Sequence, residues 1–116
     1  MKELNLPHLA PIRFAKYLIS EEDDTKVVKV AFETIPSLSM LVESAAQSSA
    51  AFDDGSGRMG FLVTLKNIKL FEKPSALKYS VAVTSGQAID SLTYFTFEIF
   101  DEDKLIVSGT YIIALN

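Results

Sequence analysis

Residues 36–52, PSLSMLVESAAQSSAAF, carry the strongest structural signal in this chain, because their apolar residues recur at the spacing of a helix. One stripe of that helix holds Leu38, Leu41, Ala45, Ser48 and Phe52. Thr34 or Ser37 can cap its start, and Pro36 is tolerated in the first turn, where its missing N–H leaves no hydrogen bond unmade. Alanine and serine make the second half slim on several sides, which indicates a helix that other elements wrap closely.

The rest of the sequence alternates apolar and polar residues, a period of two that indicates β-strands. Two strands, at residues 12–20 and 25–33, precede the helix and flank the acidic turn EEDD. In the second of them, Val28, Val30 and Phe32 fall on one face. Four more strands are expected at residues 61–71, 76–84, 91–100 and 104–115. The links SGQAID and DED are short and polar, which favours antiparallel neighbours. The sequence therefore predicts an α+β domain of one helix and about five or six antiparallel strands.

The composition excludes several classes of protein. With 116 residues, of which 48% are apolar and 22% charged, the chain is expected to form a single domain, 1–116, around a substantial core. A net charge of -4 argues against nucleic-acid binding, which needs a basic face. Without cysteine, and with His8 as the one histidine, no metal site or cofactor is indicated. No segment is apolar enough for a signal peptide or a membrane span, so the expected location is the cytoplasm.

Three short motifs resemble those of one enzyme family and occur in that family's order. LPHLAP at residues 6–11 is similar to its N-terminal Leu-Pro-His-x-x-Pro segment, and LVESAAQ at residues 41–47 to its helix motif Leu-x-Glu-Ala-Met-Ala-Gln. FEKP at residues 71–74 is similar to its Phe-Lys-Arg-Pro. The family is that of the β-hydroxyacyl-(acyl-carrier-protein) dehydratases, and the resemblance covers nearly the whole chain. It implies a hot-dog fold, in which an antiparallel sheet wraps one long central helix, and a homodimer that builds acyl tunnels between its subunits.

The catalytic histidine of that family has no counterpart at the matching position. In the family it opens a His-Phe-Pro-Gly-x-Pro segment just before the helix. Phe32 and Pro36 match the phenylalanine and the second proline, which puts Ala31 where the histidine is expected. Counting back from Glu43 without a gap reaches Lys29 instead. The Pro-Gly-Asp that follows Phe-Lys-Arg-Pro in the family is also replaced, by SALKYS.

The resemblance assigns the remaining chemistry to the helix. Glu43 matches the family's catalytic glutamate, which handles the leaving hydroxyl, and the backbone N–H groups near Leu38 and Ser39 are expected to hold the thioester carbonyl. Gln47 lies one turn beyond Glu43 and is a candidate substrate-binding residue. Both side chains have an alternative interpretation. Glu43 can be a helix residue that faces water or bonds to the rim of the sheet, and Gln47 a structural amide that bonds to backbone.

Other side chains give less specific signals. His8 matches a histidine in the family's N-terminal structural segment, not the catalytic one. Three tyrosines on predicted strands can each donate a proton, although such rings more often belong to a core or an interface: Tyr79, Tyr94 and Tyr111. Four cations lie around the strand that ends in FEKP: Arg58, Lys66, Lys69 and Lys73. They can dock an acidic carrier protein or only discourage edge pairing, and Lys66 and Lys69 have opposite strand parity, so they need not share a face.

These observations lead to a 3-hydroxyacyl-carrier-protein dehydratase-like enzyme. Its substrates would be acyl thioesters of acyl carrier protein or coenzyme A, in fatty-acid or related acyl-chain biosynthesis. Because the histidine is missing, two alternatives stay open. One is a catalytically inactive acyl-thioester-binding subunit that forms a heterodimer with an active paralogue. The other is a hot-dog thioesterase in which Glu43 activates water.

Overall fold

The computed structural model describes residues 2–3, 14–22, 24–48 and 60–115. Within these ranges the chain forms one helix and seven strands: β1 (Lys2–Glu3), β2 (Ala15–Glu22), β3 (Thr25–Ala31), α1 (Leu38–Gln47), β4 (Gly60–Leu70), β5 (Lys78–Ile89), β6 (Leu92–Asp101) and β7 (Lys104–Leu115). The strands form one sheet in the order β1-β2-β3-β5-β6-β7-β4, and each neighbouring pair is antiparallel. Apart from the two-residue β1, the sheet has six strands, so the predicted arrangement of one helix and about five or six antiparallel strands is confirmed.

The helix α1 begins where the sequence predicts a cap. Ser37 is the N-cap residue, and its Oγ accepts a hydrogen bond from the backbone N–H of Met40 at 3.2 Å. Such a cap typically stabilises a helix by about 1 kcal/mol. Three positions of the predicted stripe are fully buried: Leu41, Ala45 and Ser48. Leu38, in the first turn, is 38% exposed, and Phe52 lies outside the described residues.

One face of the sheet packs against α1, and the alternation of side chains along the strands builds that face. Val28 and Val30 of β3 are buried there with Phe32, as the period of two predicts. The neighbouring strands add large side chains to the same core: Tyr79, Val81, Val83, Phe95, Phe97, Ile99 and Tyr111. Leu41 and Ala45 of α1 belong to this cluster. Each fully buried large apolar side chain contributes roughly 1.5–3 kcal/mol, so the shared core holds the helix on the sheet.

The polar stretch SGQAID is mostly strand, where the sequence predicts a link. β5 continues to Ile89, which pairs with Leu92 of β6. A register shift leaves Gly86 and Gln87 as a bulge inside the strand. Asp90 opens the turn with a positive φ of 56°, which two-residue hairpin turns favour. The prediction was wrong because glycine and glutamine in a bulge give the same polar pattern as a turn.

A second bulge corrects the predicted placement of two lysines on β4. Lys66 pairs with Thr110, and Lys69 pairs with Ser108, two positions away on β7. Directly paired residues of antiparallel strands point to the same face, so Lys66 and Lys69 lie together on the outer face, the side of the sheet away from α1. Strand parity fails here because the bulge adds a residue, and Asn67 begins it with a φ of 54°.

Candidate functional site

Three polar side chains form a line along α1, and their burial increases from one end to the other. Ser39, Glu43 and Gln47 are spaced four residues apart, so they lie on one side of the helix. Ser39 is exposed, Glu43 is half-buried, and Gln47 is only 3% exposed. The line therefore runs from the open N-terminus of α1 into the core, with a carboxylate at its midpoint.

The Gln47 amide joins α1 to the start of β2. Its Oε1 accepts hydrogen bonds from the backbone N–H of Phe14 at 2.8 Å and of Ala15 at 3.1 Å. Both donors belong to buried residues, which have little access to water as an alternative partner. The structure therefore has the backbone-bonded amide that the sequence offers as the alternative for Gln47, while a role in binding substrate stays a prediction.

Glu43 lies where the core meets the solvent. Its neighbours Val42 and Ser44 are buried, whereas Glu43 itself is half-buried. The Nε2 of Gln47 donates to Oε1 of Glu43 at 3.4 Å, a long and therefore weak hydrogen bond between residues one helical turn apart. An ionised carboxylate accepts hydrogen bonds, and a protonated one also donates, so this group can take up a proton and return it. Its catalytic role stays a prediction.

The N-terminus of α1 supplies hydrogen-bond donors close to Glu43. The first N–H groups of a helix have no partner within the helix, and here they belong to Leu38 and Ser39, both exposed. Ser39 precedes Glu43 by four residues, which corresponds to about 6 Å along the helix axis. The partial positive charge at this end favours an oxygen that carries negative charge. A carbonyl oxygen bound here would lie within reach of the carboxylate.

Lys29 and Ala31, the two positions where the motif resemblance would place a histidine, both lie on β3, away from the helix. Lys29 and Ala31 alternate with Val28 and Val30, which are buried on the face toward α1. The side chains of Lys29 and Ala31 therefore point to the outer face of the sheet, where Ala31 pairs with Lys78. In the part of the chain that the structure describes, no imidazole accompanies Glu43. His8 lies outside the described residues.

The structure separates the three candidate tyrosines, which the sequence could not do. The Tyr79 hydroxyl donates to the backbone oxygen of Ala76 at 2.8 Å and accepts from the Ala76 N–H at 3.1 Å. Tyr94 is half-buried on β6. Tyr111 is fully buried, and its hydroxyl has no hydrogen-bond partner. Burial raises the pKa of Tyr111 above its ordinary value, so the hydroxyl keeps its proton.

The cations near FEKP do not gather at α1. Lys66 and Lys69 lie on the outer face, Lys73 is exposed, and Arg58 lies outside the described residues. Within FEKP itself, Glu72 pairs with Lys104 at 2.9 Å, and this hydrogen bond raises the pKa of Lys104. Exposed ion pairs of this kind add little stability.

A shallow groove of about 280 Å³ opens on the outer face of the sheet. Residues of β4, β5, β6 and β7 line it, among them Asn67, Lys69, Thr96, Glu98 and Ser108. The groove is separated from Glu43 by the sheet and its core, so it does not belong to the site on α1. Among the described residues, no cluster of three or more histidine, aspartate or glutamate side chains could hold a metal ion. Nor does the described part of the chain contain a helix long and apolar enough to cross a membrane.

Comparison with known proteins identifies the fold. No family model and no curated protein matches the sequence. The dehydratase heterocomplex ApeI:P from Xenorhabdus doucetiae is similar in structure, with a TM-score of 0.74 at 14% identity over 96% of this chain and 88% of that one. An HP0420 homologue from Helicobacter felis has a TM-score of 0.74 at 12% identity, over 97% of this chain and 85% of that one.

A third similar structure is a hypothetical thioesterase with coenzyme A from Streptococcus pneumoniae. Its TM-score is 0.69 at 11% identity, over 86% of this chain and 84% of that one. These proteins have the hot-dog fold, and their likeness shows that this chain has it as well. Of the predicted long central helix, ten residues are described. At such low identity the likeness establishes the fold alone.

Proposed function

We propose that this chain binds acyl thioesters at the N-terminus of α1 and acts on them as a dehydratase-like lyase, in fatty-acid or related acyl-chain biosynthesis. The line of Ser39, Glu43 and Gln47 carries the proposal. It puts the first N–H groups of α1, which belong to exposed residues, close to a half-buried carboxylate on the same helix, and it ties the far end to β2. The likeness to a dehydratase heterocomplex supports this reaction class.

Glu43 can perform both proton transfers of a dehydration. The thioester carbonyl accepts hydrogen bonds from the N–H groups of Leu38 and Ser39, which stabilise the negative charge that develops when the α-proton leaves. Donors of this kind are worth roughly 10²–10³-fold in rate each. The Glu43 carboxylate takes the proton from Cα, and the resulting acid gives it to the hydroxyl that leaves Cβ. A 3-hydroxyacyl thioester thus becomes a 2-enoyl thioester and water.

A thioesterase is the second candidate, because the described site offers one carboxylate and no imidazole. Hydrolysis needs a single base: Glu43 would take a proton from water, and the hydroxide would attack the carbonyl held at the start of α1. The products are a carboxylic acid and a free thiol. The likeness to a hypothetical thioesterase with coenzyme A supports this alternative.

The edge strand β4 is where we propose that a second subunit binds. β4 ends the sheet, so one of its edges has no strand beside it among the described residues. Large apolar side chains on and after β4 are exposed: Val63, Leu65, Leu70 and Phe71. Such an edge favours pairing with another chain. The partner would be a second copy, or a paralogue that supplies a histidine, and one structural neighbour is a heterocomplex.

The reaction class can be tested by offering crotonyl-coenzyme A and following two signals in the same sample. Loss of the enoyl absorbance without release of thiol supports the dehydratase-like reaction, run in reverse. Release of free thiol supports the thioesterase. Binding of the thioester without turnover would instead favour the inactive subunit. If the protein neither converts nor binds the thioester, the proposal is wrong.

A further inference from the structure

Tyr111 lies deep in the core, on the face of the sheet that α1 covers. It is fully buried on β7, where it pairs with Phe95 of β6 and Leu65 of β4. Its ring stacks on Phe95 at 5.2 Å and tilts against Phe97 at 5.7 Å. Both aromatic neighbours of the ring are therefore hydrocarbon side chains, and the ring belongs to the hydrophobic core.

The hydroxyl of Tyr111 has no hydrogen-bond partner. Among the described residues it is the one buried side-chain oxygen or nitrogen left in that condition. Buried polar groups in folded proteins are nearly always bonded, because an unmade hydrogen bond costs stability. A phenylalanine would fill the same space without this cost. The other buried tyrosine, Tyr79, shows the ordinary case, since its hydroxyl bonds to both the N–H and the oxygen of Ala76.

The surroundings define what could complete this hydrogen bond. Desolvation keeps the Tyr111 hydroxyl protonated, so it can donate a hydrogen bond to an acceptor. The hydrophobic core around Tyr111 disfavours a charged acceptor, because burying an unpaired charge is very costly. Tyr111 is also only one strand from the sheet edge: its neighbour Leu65 is on the edge strand β4 and is 44% exposed. With a second subunit on β4 as proposed, a ligand held between the subunits would lie one strand from Tyr111.

We infer that the Tyr111 hydroxyl donates a hydrogen bond to a neutral oxygen carried on the chain of a bound acyl group, away from its thioester. The inference rests on the proposed function and narrows its substrate class. The acyl chain would be mostly hydrocarbon, matching Phe95 and Phe97, with one keto, hydroxyl or ether oxygen. Tyr111 would then be a specificity-determining residue, and the hydroxyl that costs stability in the empty protein would be satisfied by the substrate.

Two matched variants separate this role from a structural one. Tyr111→Phe removes a hydroxyl without a partner, so its thermal unfolding midpoint should equal or exceed that of the wild type. Tyr79→Phe removes a hydroxyl with two partners and should unfold at a lower temperature. A midpoint for Tyr111→Phe that falls as far as that of Tyr79→Phe would show an internal partner and overturn the inference.

Binding measurements then test whether Tyr111 recognises an oxygen on the acyl chain. The probes are thioether analogues of lauroyl-coenzyme A, which cannot be hydrolysed, with and without one keto group along the chain, measured by calorimetric titration. The wild type should prefer the best keto analogue by roughly tenfold, the value of one hydrogen bond, and Tyr111→Phe should lose that preference while it binds the plain analogue unchanged. An equal preference in both proteins, or no preference in either, overturns the inference alone. If the wild type binds no analogue at all, the proposed function fails and the inference fails with it.

Discussion

Replacing Gln47 by leucine should weaken the attachment of α1 to the sheet more than any other single loss of a polar group on the helix. The leucine removes the acceptor of two buried backbone N–H groups, those of Phe14 and Ala15. Each buried N–H without a partner costs about 1–3 kcal/mol, so the two together cost about 2–6 kcal/mol. The apolar leucine offsets part of that loss by burial, which leaves a net destabilisation of about 2–4 kcal/mol.

A loss of that size is a large fraction of the roughly 5–15 kcal/mol that stabilises a typical domain. Urea unfolding followed by far-ultraviolet circular dichroism measures it directly, since a stability change moves the midpoint and leaves the slope unchanged. The thermal midpoint should fall by roughly 4 °C for each kcal/mol, or about 8–16 °C in total.

Two further variants make this experiment specific. Gln87→Leu places the same substitution at an exposed position in the β5 bulge, where the change should stay within about 0.5 kcal/mol. Gln47→Glu keeps oxygens as acceptors for the two N–H groups but places a carboxylate at a buried position beside Glu43, so it should also destabilise the protein. If Gln47→Leu proves as mild as Gln87→Leu, the amide does not anchor the helix and the reasoning is refuted.

Three further outcomes are expected. A methyl group at Gly109 would collide with Ile68 Cδ1 and approach Phe97 Cζ to 2.9 Å. Gly109→Ala should therefore lower the unfolding free energy, measured by urea unfolding, by about 1–3 kcal/mol. A variant as stable as the wild type would contradict this close packing. Burial raises the folded-state pKa of Tyr111 above its unfolded value near 10, so above about pH 10 ionisation favours the unfolded state and the protein loses about 1.4 kcal/mol of stability per pH unit from this group. The wild type should therefore lose stability more steeply there than Tyr111→Phe, and parallel pH profiles would refute this. Leu65→Lys puts a charge at the exposed edge of β4 and should convert the proposed dimer to monomers, as measured by sedimentation velocity. A dimer that persists in this variant would exclude the β4 edge as the interface.

The regular parts of the fold were predictable because they depend on local patterns. The period of two placed Val28, Val30 and Phe32 on one buried face. Capping preferences offered Thr34 or Ser37 for the start of the helix, and Ser37 is the N-cap residue. Both signals come from residues a few positions apart. Such local signals can therefore be identified in a single sequence.

The irregular parts were not predictable, for two physical reasons. Bulges use the same residue types as turns, so Gly86 and Gln87 looked like part of a link, and Asn67 gave no sign that it would bring Lys66 and Lys69 to one face. Tertiary partners come from distant segments and leave no local pattern. The sequence allowed a backbone hydrogen bond as one interpretation of the Gln47 amide, but only the structure identifies Phe14 as a donor to it. Likewise, only the structure shows that the buried Tyr111 hydroxyl has no hydrogen-bond partner.

The most direct test of the proposed site is the hydration rate of crotonyl-coenzyme A for the wild type and for Glu43→Gln. The glutamine keeps the size of the side chain and removes only its ability to carry a proton, while Glu98→Gln makes the same change at an exposed position on the outer face. We predict that Glu43→Gln lowers the rate by roughly 10²–10⁴-fold with an unchanged unfolding midpoint, and that Glu98→Gln retains the wild-type rate. An active wild type whose rate is unaffected by Glu43→Gln would contradict the assignment of the chemistry to this helix.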